Sequence, residues 1–154
     1  GLNDSDVGQN RFNGYKQGII DFGLESDETL IFYGRYSYES GLDGAKYFTS
    51  LPVLPDAIIC ANDSMALGAI QHLKSQGIGI PEDISIIGFD NIQVASQVSP
   101  ALTTIAAPME EIALHAFTML KQQIDAKPMT FMHLSLSAHL IERASCTAKS
   151  PLSF

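Results

Sequence analysis

Positive charge is scarce in this sequence: nine Lys and Arg stand against seventeen Asp and Glu in 154 residues, a net charge of −8. With a pI near 4.7, the chain lacks the basic stripe that a bare nucleic-acid-binding surface needs, so any DNA contact must come from outside it. Cysteine is scarce too. Cys60 lies in an apolar run and Cys146 near the C-terminus. With no CxxC and no metal-ligand spacing, both read as free thiols. The four histidines, His72, His115, His133 and His139, are scattered without zinc spacing. No apolar run is long enough to span a bilayer, and the opening GLNDSDVGQN has neither the basic start nor the apolar core of a signal peptide. The expectation is a cytoplasmic protein. The chain opens on Gly1 rather than Met, inside what reads as a helix cap, as a fragment or a processed product would.

The motifs of common chemistries are missing as well. No GxGxxG follows a strand, no GxxxxGKS or GxxxxGKT occurs, and no Ser, Cys or His sits in a nucleophile motif. A cleft offering hydrogen-bonding groups without an activated nucleophile points to binding without turnover, so no catalytic residue, cofactor or metal is expected.

What is present is a core and a rhythm. A hydrophobic content of 45% over this length is enough for one domain. Asp6 and Gln9 have capping-box spacing, and the helix that follows runs to Gly23 with the stripe Val7, Arg11, Tyr15, Gly18, Ile19 and Phe22. TLIFYG at 29–34 is a compact β-prone run, and Leu42, Ala45 and Phe48 recur at helical spacing until Pro52 and Pro55. DAIICA predicts the next strand, Ser64 to Gln76 the next helix, and ISIIGF the strand after it. Near-continuous apolar strands alternating with helices predict a doubly wound, three-layer α/β unit whose parallel sheet is covered on both faces. Beyond Asn91 the rhythm changes to a brief β run at Leu102–Ile105. Pro108 then opens a long helix, with Met109, Ile112, Ala113, Ala116, Phe117, Leu120 and Ile124 on one stripe. Around 131–143 the pattern predicts two short strands joined near Ser135–Ser137.

In SIIGFDN and AIICANDS, apolar strands run straight into short polar residues, Asp90 and Asn91 in one, Asn62 and Asp63 in the other. Open α/β sheets bind ligands beyond the carboxyl ends of their strands, where these residues fall. Asp63 is read as the N-cap of the following helix, and Asn62 stays open between cap and ligand contact. Asp90 has no helix to cap, which favours a binding role. Arg11 sits on an apolar stripe and needs a partner such as a carboxylate or paired ligand hydroxyls, unless it snorkels at the stripe's edge. Tyr36 and Tyr38 follow the 29–34 run, where an aromatic face either stacks on a ring or simply meets solvent.

The stretch PDAIICANDSMALGAIQHLKSQGIGIPEDISIIGFDN, with SPALTTI, LIERAS, NRFNGYKQG and YESGLDGA, closely resembles the lactose and galactose repressor family (LacI/GalR) of transcription regulators, over nearly the whole chain. The resemblance implies a subdomain of the type I periplasmic-binding-protein fold, with elements of a second subdomain. It assigns residues 1–100 and 136–147 to the C-terminal effector-binding subdomain, 101–135 to a crossover into the other subdomain, and 148–154 to a tail, with no helix-turn-helix in the chain. It implies that Arg11, Tyr36, Asn62 and Asp90 contact a small effector, sugar or nucleoside-like, and that Met65, Leu67 and Val98 lie in a homodimer interface. Ser5 and Val7 fall where some members place further ligand contacts. Where the family usually carries Gln before Pro, this chain has Ala107 before Pro108, which removes one polar contact. Operator DNA would be met only through the missing helix-turn-helix. A periplasmic sugar-binding receptor for transport is the second reading, and PEDISIIGFDN favours the first.

Overall fold

The computed structural model describes residues 6–125 and 134–148. Chain order gives α1 (Asp6–Asp21), a 3-10 turn (Glu28–Leu30), α2 (Tyr38–Thr49), β1 (Ala57–Ile59), α3 (Asp63–Ser75) and β2 (Ser85–Phe89). A second 3-10 turn (Gln93–Ser96), β3 (Thr103–Ala106), α4 (Met109–Ile124) and β4 (His139–Ile141) follow. One sheet holds all four strands in the order β1-β2-β3-β4. Ile58 pairs with Ile86 and Gly88 with Thr104 in parallel ladders, whereas β4 pairs antiparallel to β3, Ile105 opposite Leu140. The sheet is therefore parallel with an antiparallel edge, a common variation of the α/β architecture.

The core lies between one face of this sheet and the pair α2 and α3. Ile58 and Ile86 meet Ala45, Phe48, Ala66, Ala69, Ile70 and Leu73 there, closed off by Ile84 and Leu102. The two helices approach to backbone contact: a Cβ on Gly41 would lie 1.9 Å from the Met65 carbonyl oxygen, and one on Gly68 2.0 Å from the Tyr38 carbonyl oxygen. Ser145 stitches the sheet from behind. Its hydroxyl donates to the Ile86 carbonyl at 2.6 Å and accepts from the Thr103 N–H at 2.8 Å.

The expected α/β architecture is present, and four points refine or correct its details. First, the two faces of the sheet are covered unequally: α1 lies over the second face but buries none of its own residues, and Ile59 is 62% exposed. A cavity of about 320 Å³ is bounded by α1 (Phe12, Tyr15), the strands (Ile87, Ile105) and the pair α2 and α3 (Phe48, Met65). Second, residues 29–34 form no strand. The Asp27 carboxylate accepts from both the Thr29 N–H at 2.8 Å and its hydroxyl at 2.7 Å, and the Ile31 N–H turns back to the Glu28 carbonyl, so a capped turn replaces ladder pairing. Third, β3 is an inner strand of this sheet, between β2 and β4, so residues 103–106 belong to this unit rather than to a crossover starting at 101. Fourth, only one strand forms within 134–143, namely β4, while 131–133 lie outside the described residues.

Pro108 stands at the N-cap of α4, with Glu110 and Glu111 in its first turn. The predicted stripe exists, and it faces solvent: Ile112, Phe117, Leu120 and Ile124 are all exposed, Phe117 by 65%.

Candidate functional site

At the carboxyl end of β2 the backbone turns sharply. Asp90 has φ 112° and Asn91 φ 56°, both in the region L-residues avoid. The Asp90 N–H is held by the Ile105 carbonyl at 2.8 Å, and its side chain leaves the sheet toward α1. Arg11 meets it from α1. The guanidinium carbon lies 3.7 Å from the centre of the Phe89 ring, and one nitrogen is 3.6 Å from Asp90 Oδ1. Another donates to the Ala61 carbonyl at the end of the β1 segment. An arginine on an apolar stripe is thus satisfied by an aromatic face, a carboxylate and a carbonyl, all at the strand ends.

Tyr36 and Asn62 complete the cluster. The Tyr36 ring centre is 6.0 Å from the Arg11 guanidinium carbon. Its hydroxyl is buried and has no hydrogen-bond partner among the described residues. Asn62 is the N-cap of α3, its Oδ1 accepting from the Met65 N–H at 2.9 Å while its Nδ2 donates to the Tyr36 carbonyl at 3.0 Å. The cap therefore also ties the 36 turn, itself at φ 59°, to the end of β1. The four residues singled out in the sequence converge on one spot where strand ends and loops meet.

The pair Arg11 and Asp90 keeps 26% and 40% of its side-chain surface accessible, so it is open to a solute. Burial pushes the Asp90 carboxyl above its ordinary 3.8, opposed by the Arg11 guanidinium and reinforced by the nearby Asp63 carboxylate. The site is thus an acceptor and a donor fork beside aromatic surface, suited to hydroxyls and to a flat or ring-shaped solute. Burial in the core pushes the thiol of nearby Cys60 up to about 12, which disfavours the thiolate.

Two sequence assignments change here. Asp63 does not cap α3; that role is Asn62's alone. Asp63 is instead fully buried, with Oδ1 accepting from the Thr104 hydroxyl at 2.6 Å and Oδ2 from the Ile92 N–H at 2.9 Å. Asn91, given no role in the sequence, accepts from Arg143 at 2.7 Å. Sequence reading missed Phe89, Thr104 and Arg143; an aromatic beside Asp90 was visible in SIIGFDN, but the other two lie in β3 and after β4, with no local signal. Of the interface residues, Met65 is 6% exposed in the core of its own chain, while Leu67 and Val98 are half-buried. Met65 is thus buried without any partner chain. Val7 is exposed, and Ser5 lies outside the described residues.

Residues 1–146 match the periplasmic binding protein-like domain. The chain belongs to that family. Within this periplasmic binding protein-like family its relatives are LacI-type regulators, as the sequence resemblance implied. It is 38% identical over 138 residues to the HTH-type transcriptional repressor CytR of Escherichia coli, covering 90% of this chain and 40% of CytR. It is 34% identical over 135 residues to the HTH-type transcriptional repressor PurR of Vibrio atlanticus, covering 88% of this chain and 40% of PurR. Among solved structures, the transcriptional regulator CelR–cellobiose complex superposes with a TM-score of 0.88 at 32% identity, over 94% of this chain and 44% of that one. A LacI-type transcription regulator from Bifidobacterium animalis gives 0.88 at 33% identity, over 94% of this chain and 53% of its own. The chain spans about 40% of the length of the curated relatives it matches. Among the described residues, no helix of this periplasmic binding protein-like domain is long and apolar enough to cross a membrane.

Proposed function

We propose that this chain is the effector-sensing and dimerisation region of a LacI/GalR-type repressor acting in the cytoplasm. A small sugar or nucleoside-like molecule is held against Arg11, Tyr36, Asn62 and Asp90. The observation that carries this reading is the half-open Arg11–Asp90 pair, 3.6 Å apart at the carboxyl edge of the sheet, with the Phe89 face beneath it. Binding there changes the closure between two subdomains and so shifts operator affinity, through unequal affinity for the two closures. Contact with DNA is made by a helix-turn-helix outside this chain. Leu67 and Val98, half-buried at the surface, are the dimer contacts we favour, while Met65 is packed inside its own chain. A non-enzymatic role agrees with relatives that are named as regulators, and those names also favour a repressor over the periplasmic transport receptor.

The test is calorimetric titration of cellobiose and of cytidine into the intact protein and its Asp90→Ala variant. Loss of a charge-assisted contact at a polar site should weaken binding by about 10-fold or more. Equal affinity in wild type and variant removes Asp90 from the site, and no binding of either solute overturns the stated ligand class.

A further inference from the structure

Asp63 is a buried carboxylate that the helix it begins does not need, because Asn62 already caps α3. Its two oxygens are instead spent on β3 and on the chain after β2. Oδ1 takes the Thr104 hydroxyl at 2.6 Å and Oδ2 the Ile92 N–H at 2.9 Å. The fold makes room for it at one position: a Cβ on Gly88 would sit 2.1 Å from Asp63 Oδ1. The glycine of SIIGFDN is therefore a vacancy filled by the aspartate of the preceding strand end.

The segment held in this way is the strained one. Asp90 and Asn91 both have positive φ, a backbone that persists only where its surroundings over-determine it. Three successive residues of the turn are each gripped by a different element. Asp90 is held through its N–H by Ile105 of β3 at 2.8 Å. Asn91 is held through its Oδ1 by Arg143 at 2.7 Å, and Arg143 is itself anchored by donating to the Leu102 carbonyl at 2.7 Å. Ile92 is held by Asp63.

We infer that Asp63 and Arg143 are positioning residues that lock the 90–92 turn in the one conformation presenting the Asp90 carboxylate to Arg11. Neither touches Arg11, and each acts through the backbone or side chain of a neighbouring turn residue. The assignment of a ligand to Asp90 rests on the effector reading above; the lock itself does not.

Hydrogen exchange of single amides in the intact protein tests the lock. In Asp63→Asn and in Thr104→Val, the Ile92 and Asp90 amides should exchange about 10-fold faster or more relative to the Ile86 and Ile87 amides of the same sample. Thr104→Ser, which keeps the hydroxyl, should restore wild-type protection. Arg143→Ala should likewise accelerate Asp90 and Ile92 while sparing Ile86 and Ile87. The idea is overturned if the turn amides keep their wild-type rates, or if every sheet amide accelerates equally, since that is loss of general stability. Should Asp63→Asn fail to fold, the Thr104→Val and Thr104→Ser pair decides alone. A parallel cellobiose and cytidine titration with Asp90→Ala separates the two readings: unchanged binding there removes the effector role while the exchange result stands.

Discussion

Asp90 combines burial with a charged neighbour, and its titration is a residue-scale consequence. A carboxyl held above its ordinary 3.8 binds its proton more tightly in the native than in the unfolded chain. The stability it contributes is therefore fully present below 3.8 and is lost as pH rises through the higher folded value. Asp90→Asn cannot titrate. Thermal melts of wild type and variant between about pH 3 and about pH 6 should show the difference in Tm moving in the variant's favour as pH rises. Movement in the opposite direction would mean that the Arg11 guanidinium outweighs burial at this carboxyl. The same scale separates a pairing that the sequence announced, Arg11 beside Asp90, from one that it hid. Arg11 and Asp90 were legible because each is chemically out of place, a cation on an apolar stripe and an anion at the end of an apolar strand. Asp63 was not, because its partners lie 29 and 41 residues away, and a helix-opening aspartate looks like a cap wherever its side chain goes.

At the scale of elements, α2 and α3 approach to backbone contact. Gly68 faces the Tyr38 carbonyl so closely that a Cβ there would sit 2.0 Å from it. Backbone cannot yield as a flexible side chain does, so Gly68→Ala must push α2 off α3 or break the helix start. We expect a loss of about 2–4 kcal/mol in urea unfolding. A loss below about 1 kcal/mol would mean the two helices slide freely. The helices themselves were legible from periodicity, with α1, α2, α3 and α4 all within a few residues of the pattern. The strands were less so. The 29–34 run has β composition, yet Asp27 captures the Thr29 N–H and hydroxyl and winds a turn in its place. Nothing in the HLI segment of β4 signals that it runs antiparallel to β3, because strand direction is set by where the chain returns from and not by the residues that pair.

The whole molecule carries more apolar surface than a single core can use. Ile112, Leu114, Phe117, Leu120 and Ile124 of α4 are exposed, none of the residues of α1 is buried, and Ile59 of the sheet is open to solvent. Patches of this kind favour association. Sedimentation of the chain should give a mass that rises with concentration, and Phe117→Ser with Leu120→Ser should restore a monomer. A strict monomer at all concentrations, with α4 amides protected in hydrogen exchange, would sink this expectation.

The sequence by itself determined the alternation of helix and strand, the polar strand ends and the residues that meet there. Hydrophobic period and misplaced charge are local properties, readable wherever they occur. Tertiary structure alone decided that Asn62 is the cap, that Asp63 reaches across Gly88 to grip the turn after β2, and that Arg143 braces the same turn from beyond β4. Those roles depend on which distant donors are brought within 3 Å of a side chain, and only the folded sheet sets that distance.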